Sequence, residues 1–299
     1  VVHAARSANP ALRVMMLLGF TLFTGVFENI GVVVTGNYFY SDARLAMVSH
    51  VPLGVLLLET VIFYAVITLL ERLRVPGWAM PFAAGFLTTL QDLSIDPTAV
   101  HDRYLINGSL SGQWTWVQHY AGTYFGIPFS NFTGWYGFTL AYLVAYQCIV
   151  WAYRRFAIEH KALALWALPF LSTLGGVIVL LIPVTAFMID LRPFVSPHTR
   201  WAELTMLIIN MVIGLGILLR TVRLDGSFDF QRDGFIIFAI LLLLHAYDII
   251  VAFARGITIA YVPSLGITAF HVALFVTLFV LARRRDPKHR AMPRPIRSQ

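Results

Sequence analysis

The sequence has few charged residues and almost no cysteine. Of its 299 residues 12% are charged, about half the share found in soluble domains, and 58% are hydrophobic. The single cysteine, Cys148, excludes an internal disulfide framework and a cysteine-based metal cage. This composition excludes an ordinary water-soluble domain and indicates a membrane protein.

Motifs for cofactors are absent as well. The nine histidines never lie three or four residues apart, so no helix presents the paired ligands of a metal oxygenase. No phosphate-binding glycine loop follows a strand, and the Gly-Leu-Gly at 214–216 lies in an apolar segment, where it predicts close helix packing. The net charge of +7 comes from basic residues in short gaps and a tail, which orient membrane helices. We therefore expect no cofactor, no metal and no nucleic-acid partner.

Long apolar stretches predict an all-α, polytopic membrane helix bundle with about eight transmembrane helices. Such stretches can cross about 30 Å of hydrocarbon as helices. The third is the least regular, because it contains Pro81 and ends at Gln91 and Asp92, so a kinked or re-entrant segment is an alternative there. The predicted spans are 12–34, 47–70, 78–93, 134–153, 162–189, 202–219, 234–254 and 265–282.

Lysine and arginine collect on one side of these spans. Of the 22, 17 lie in segments on the same side as both termini, and five lie opposite. Because basic loops stay in the cytoplasm, we expect both termini there and the protein in the cytoplasmic (inner) membrane as a multi-pass chain. The domain prediction is a single transmembrane domain over 1–282 and a basic cytoplasmic tail over 283–299 that contacts anionic lipid. The long connection near 92–131, on the other side, is expected to fold over the helix ends.

Acidic residues inside the spans are the informative ones, since a carboxylate at mid-bilayer costs at least about 2.5 kcal/mol. Glu28 lies on a small, polar face of the first span. Asp92 and Asp96 share a helix face if the helix continues, although Pro97 favours an extended backbone at Asp96. Two close acids cannot both ionise cheaply, so one keeps its proton, as a general acid requires. For Asp96 the alternative is a solvated helix end.

Other polar residues inside the spans are weaker candidates. His245 and Asp248 lie three residues apart on one helix face, where they either support function or satisfy each other structurally. Glu59, Glu203 and Asn210 are further candidates of lower rank.

Four segments together resemble one known family. They are ENIGVVVTGNYFYSD (28–42), DLSIDPTA (92–99), GQWTW (112–116) and YFGIPFSNFTGW (124–135). In this order they resemble the integral-membrane carotenoid 1,2-hydratase family, and they cover about the first half of the chain. The resemblance implies an enzyme, a carbon–oxygen lyase, that adds water across the terminal double bond of an acyclic carotenoid end group and gives a tertiary alcohol.

The resemblance also implies roles for residues in these segments. Asp92 or Asp96 would protonate the alkene, while the second carboxylate or Glu28 would orient the attacking water. Tryptophan rings would stabilise the carbocation, or would instead form an interfacial aromatic belt. Asn131 would hold the water, or would cap a helix that begins at Phe132. The expected substrate-binding residues are Trp114, Trp116, Asn131, Trp135, Tyr38 and Tyr40. His245 and Asp248 lie outside these four segments, and their helical spacing alone makes them candidates for a supporting role.

Two other functions fit the same pattern of residues. One is a non-catalytic, carotenoid-binding subunit of a complex with other membrane proteins. The other is a proton-coupled transporter that uses the buried acids and histidines as a relay. The expected partners are therefore an acyclic carotenoid and membrane lipid, with other membrane protein subunits left open.

Overall fold

The computed structural model of the protein shows an all-α membrane helix bundle. It describes residues 2–5, 7, 9–36, 38–41, 44–106, 109–117, 123–156, 161–182, 200–223 and 234–285. A short helix, α1 (Val2–Ala5), precedes eight long ones in these ranges. They are α2 (Pro10–Ile30), α3 (Leu53–Arg72), α4 (Met80–His101), α5 (Phe129–Phe156), α6 (Lys161–Leu181), α7 (Arg200–Thr221), α8 (Phe235–Ala254) and α9 (Thr258–Arg285).

The eight predicted spans correspond to the eight long helices. Five of these, α2, α3, α6, α7 and α9, are long and apolar enough to cross a membrane, and α8 contains a shorter apolar stretch, Leu241–Ala254. The end of the predicted span 162–189 and the tail from 286 lie outside the described residues.

Short strands lie at one end of the bundle, which we call the strand-bearing end. They are β1 (Tyr38–Tyr40), β2 (Met47–Val48), β3 (Val51–Pro52), β4 (Tyr104–Ile106), β5 (Ser109–Ser111) and β6 (Trp114–Trp116). β2 pairs with β3 and β4 with β5, while β1 pairs with β6 in antiparallel register. The β1–β6 pair joins the segment after α2 to the connection after α4.

The third span differs from its prediction, because α4 does not end near Asp92. It continues as one helix to His101 with Pro97 inside it, so Asp96 is helical and not extended. Proline lacks the N–H that would bond to the carbonyl of Leu93, and the Tyr124 hydroxyl donates to that carbonyl at 3.1 Å instead. The predicted connection over 92–131 is therefore shorter, and runs from Asp102 to Pro128.

α4 is the central helix of the bundle. It packs against α3, α5, α7, α8 and α9, and 19 of its 22 residues are buried. Since protein and not lipid surrounds α4, the helix can carry polar side chains that a lipid-facing helix would exclude. By contrast, only about a quarter of the residues in the apolar stretches of α2, α6 and α9 are buried, as expected for helices that face lipid.

Small residues allow the helices to approach each other closely. A β-carbon at Gly214 of α7 would lie 2.5 Å from Cβ of Phe86 and 2.9 Å from the carbonyl oxygen of Phe82, both on α4. The close packing predicted for Gly-Leu-Gly at 214–216 is confirmed at Gly214, while Gly216 faces open space. Between α2 and α3, the rings of Phe20 and Phe63 stack with centroids 3.8 Å apart.

Candidate active site

A small cavity of about 50 Å³ lies inside the strand-bearing end of the bundle. α2, α3, α4, α5 and the β1–β6 pair all contribute to its wall. We call it the carboxylate cavity, because four acidic side chains line it. Its polar and aromatic lining consists of Glu28, Glu59, Asp92, Asp96, Asn131, Tyr38, Tyr40, Trp114 and Trp135.

Asp92 and Asp96 lie one turn apart on α4 and share a single partner. The side-chain amide of Asn131 donates to Asp92 Oδ2 at 2.8 Å and to Asp96 Oδ2 at 2.7 Å. Asn131 lies in the first turn of α5, which begins at Phe129, so the alternative that it caps a helix starting at Phe132 is wrong. The amide instead fixes both carboxyl groups with their oxygens toward the cavity.

Glu28 is held by two tyrosines of β1. The hydroxyls of Tyr38 and Tyr40 both donate to Glu28 Oε2, each at 2.7 Å. Alternate residues of a strand normally point to the same face, which explains why both rings reach one carboxylate. Burial, together with the nearby Glu28 carboxylate, raises the pKa of Tyr38 and Tyr40 well above the ordinary value for tyrosine. Both hydroxyls therefore stay protonated and remain donors.

The pairing of β6 with β1 positions Trp114 and Trp116 beside the two tyrosines. In the β1–β6 register Trp114 lies opposite Tyr40 and Trp116 lies opposite Tyr38. Trp114 lines the carboxylate cavity, whereas Trp116 packs behind it against the Tyr38 ring, with centroids 4.9 Å apart. Trp116 thus supports a cavity residue and does not line the cavity itself.

Glu59 of α3, a lower-ranked candidate from the sequence, also lines the carboxylate cavity. It is buried, and its Oε2 has no hydrogen-bond partner among the described residues. Its signal in the sequence was the same as that of Glu28, a lone acid in an apolar span. The sequence could not show that α2 and α3 bring the two acids to one cavity, because that depends on how the helices pack.

The four carboxyl groups have no basic counterpart. In the described ranges, no lysine or arginine forms an ion pair with Glu28, Glu59, Asp92 or Asp96. Neutral donors, namely the Asn131 amide and the two tyrosine hydroxyls, satisfy three of them. Such a set favours proton exchange over the binding of a large anion.

His245 and Asp248 lie outside the carboxylate cavity and meet through a third residue. His245 Nδ1 lies 2.9 Å from Ser94 Oγ, and Ser94 donates to Asp248 Oδ2 at 3.3 Å. The other nitrogen of His245, Nε2, lies 2.7 Å from His271 Nδ1. This buried chain joins α4, α8 and α9, so the two residues are linked through Ser94 and not by the direct contact that their spacing suggested.

The remaining lower-ranked candidates do not line the cavity either. Glu203 of α7 accepts a hydrogen bond from the backbone N–H of Ser130 at 3.2 Å, and Asn210 is fully buried. No group of three or more histidine, cysteine or acidic side chains in the described part of the chain could hold a metal ion.

Comparison with known protein families places the carboxylate cavity inside a matched region. A family model described as carotenoid biosynthesis protein matches residues 2–190 of the chain. The matched region runs from α1 through α6 and includes every residue that lines the carboxylate cavity. Comparisons with curated proteins and with solved structures gave no match.

Proposed function

Because the chain belongs to the carotenoid biosynthesis protein family, we propose that it is a carotenoid 1,2-hydratase. It adds water across the terminal double bond of an acyclic carotenoid end group and gives a tertiary alcohol, in the cytoplasmic membrane. The observation that carries the proposal is the convergence of four acidic side chains, one amide and two tryptophans on one small cavity, where the described lining residues include no basic one. Hydration needs only a proton donor, a positioned water and a site for a cation, and it needs no cofactor.

Protonation of the alkene is the first step. The Asp92–Asp96 pair supplies the proton, because a single neutral amide cannot offset two adjacent charges and one member of the pair keeps its proton. The proton goes to the alkene carbon that carries a hydrogen. The positive charge then lies on the carbon that carries the two methyl groups, a tertiary carbocation.

Capture by water is the second step. Glu28 accepts both tyrosine hydroxyls on Oε2, which holds this carboxylate in place beside the cavity. It orients a water molecule whose oxygen bonds to the cation. The proton that the water loses returns to the Asp92–Asp96 pair, so the reaction consumes one water and leaves the protein unchanged.

Aromatic rings stabilise the cation between the two steps. Trp114 and Trp135 line the cavity, and an indole face attracts a positive charge by about 0.5–2 kcal/mol. Trp116 acts indirectly, since it packs on Tyr38 and keeps the tyrosine hydroxyl on Glu28.

The test is expression in a host that accumulates lycopene, grown in water labelled with heavy oxygen. We expect a more polar pigment whose new hydroxyl carries the label. Asp92→Asn and Asp96→Asn should each reduce its formation at least about 100-fold, the usual effect of removing an acid–base group. Glu203→Gln is the matched control, because Glu203 is a buried acid that does not line the cavity.

A wild-type protein that leaves lycopene unchanged, or a hydroxyl without label, would contradict the hydratase proposal. Full activity in both aspartate variants would show that neither aspartate is the proton donor and would leave Glu28 or Glu59 for that role. An unchanged pigment bound in a stable complex with other proteins would favour the pigment-binding subunit.

A proton-coupled transporter is the second candidate, and a different observation favours it. The chain Asp248–Ser94–His245–His271 is buried and continuous, as a proton relay across helices requires. This function predicts proton-coupled flux in proteoliposomes and no change in pigment.

A further inference from the structure

A second and larger cavity, of about 560 Å³, lies next to the carboxylate cavity. Side chains from within residues 53–58 of α3, 95–99 of α4 and 247–251 of α8 form most of its wall, together with residues 44–46, Asp102 and Trp114. We call it the lateral groove. We propose that the lateral groove binds the linear polyene chain of the substrate, while the reacting end group occupies the carboxylate cavity. This inference rests on the proposed function and deepens it.

The two cavities are adjacent and share part of their walls. Val55, Leu58, Ile95 and Trp114 line both of them. A ligand that passes between these four side chains therefore moves from the groove directly to the carboxylates.

The size of the carboxylate cavity requires a second compartment. A volume of about 50 Å³ holds a few water-sized groups, since each needs roughly 10–15 Å³. This is enough for a dimethyl-substituted chain end and one water, but not for a long polyene. The rest of such a molecule has to leave through a neighbouring opening, and the lateral groove adjoins the cavity at that point.

The groove opens between α3 and α8 toward the outer surface of the bundle. Leu57 on α3 and Tyr247 on α8 are both more than half exposed at its rim. In a membrane bundle such apolar side chains face lipid, so a polyene dissolved in the bilayer reaches the groove without crossing water.

Most of the groove is apolar, and its acidic residues are already paired. Asp102 accepts bonds from Tyr104, Gln113 and Arg255, and Asp248 accepts one from Ser94. These groups need no polar ligand, and the remaining surface of residues such as Leu53 and Val251 suits a hydrocarbon chain.

Gly54 is a position where a larger side chain can narrow the lateral groove. It lines the groove on the first turn of α3, and a β-carbon there would meet no heavy atom within 4 Å. A larger side chain at this position therefore enters open space, and replacing a helical glycine does not weaken the helix. Gly266 of α9 is the matched control, since it is also helical, exposed and open but lies outside the groove.

The experiment compares wild type, Gly54→Leu, Gly54→Phe and Gly266→Phe, each as the full chain in membranes of the lycopene-producing host. Two quantities are measured: conversion of lycopene, and lycopene retained per purified protein from its absorbance. We expect both Gly54 variants to lose conversion at least about tenfold, because losing contact with two methylene-sized groups already has that effect. The loss should be greater for Phe than for Leu, with retained pigment falling in parallel and Gly266→Phe unchanged.

The two readouts separate this inference from the proposed function. If wild type retains lycopene without converting it and Gly54→Phe does not retain it, the groove assignment stands and the hydratase proposal fails. If the Gly54 variants convert and retain lycopene like wild type, the groove assignment is wrong. Loss of a bound phospholipid from Gly54→Phe in native mass spectrometry, with pigment unchanged, would show that the groove holds a lipid and would also overturn it.

Discussion

Replacing Tyr38 and Tyr40 tests whether their hydroxyl groups stabilise the protein through their hydrogen bonds to Glu28. Tyr38 and Tyr40 donate to the same oxygen, Glu28 Oε2, at 2.7 Å each. Tyr→Phe at either position removes one hydroxyl and keeps the ring, so the contacts with Trp116 and Trp114 across the β1–β6 pair stay in place. The double variant leaves that buried oxygen without either donor.

The expected magnitudes follow from this shared acceptor. A hydrogen bond to a charged group contributes about 1.5–3 kcal/mol, so each single variant should lower the free energy of unfolding by about 1.5 kcal/mol. The double variant should lose more than the sum, at least about 4 kcal/mol, because a buried carboxylate without a donor adds its own desolvation penalty. In a Glu28→Leu background the same tyrosine changes should cost less than about 0.5 kcal/mol, since no acceptor remains.

Unfolding in mixed detergent micelles, followed by circular dichroism, gives these free energies. Formation of labelled hydroxyl in the same preparations gives the activity, which should fall further in the double variant than in either single one. Additive losses in stability, or equal losses with and without the Glu28 carboxylate, would refute the idea that the tyrosines act through Glu28.

Two further predictions concern pH and packing. Above about pH 10 the unfolded chain loses its tyrosine protons while buried Tyr38 and Tyr40 keep theirs, so the free energy of unfolding should fall by up to about 1.4 kcal/mol per pH unit for each of them. A Tyr38→Phe, Tyr40→Phe variant should have a slope that is smaller by these two contributions, while other buried tyrosines with a raised pKa, such as Tyr124, keep theirs. Gly214→Ala should lower the free energy of unfolding by about 1–3 kcal/mol, because its β-carbon would lie 2.5 Å from that of Phe86. Gly216→Ala faces open space and is the control; equal stability of the two alanine variants, measured by thermal unfolding, would contradict the close packing.

The sequence predicted the helices far better than the details of the site. Apolar length identified the eight long helices, five of which are long and apolar enough to cross a membrane. The predicted helix end near Pro97 was wrong, because the Tyr124 hydroxyl supplies the hydrogen bond that proline cannot donate. Tyr124 lies in the connection after α4, outside the predicted span. A contact between separate segments cannot be inferred from local propensity.

The same reasoning explains which site residues could be found. Glu28, Asp92 and Asp96 were identifiable because a carboxylate inside a span is costly wherever the span packs. Glu59 carried the same signal, but only the packing of α3 against α2 places it at the same cavity. Asn131 bonds to both aspartates only because α5 packs against α4. Its position in the sequence does not indicate this contact.

Trp114 lines both the carboxylate cavity and the lateral groove, yet it belongs to a three-residue strand and not to a helix. The wall between the two compartments is therefore formed by one strand residue together with residues of α3 and α4. Under the proposed function, a substitution at this one position would change which chain ends reach the acids. The preference of the proposed hydratase for an end group would then depend on a strand residue as well as on the helices.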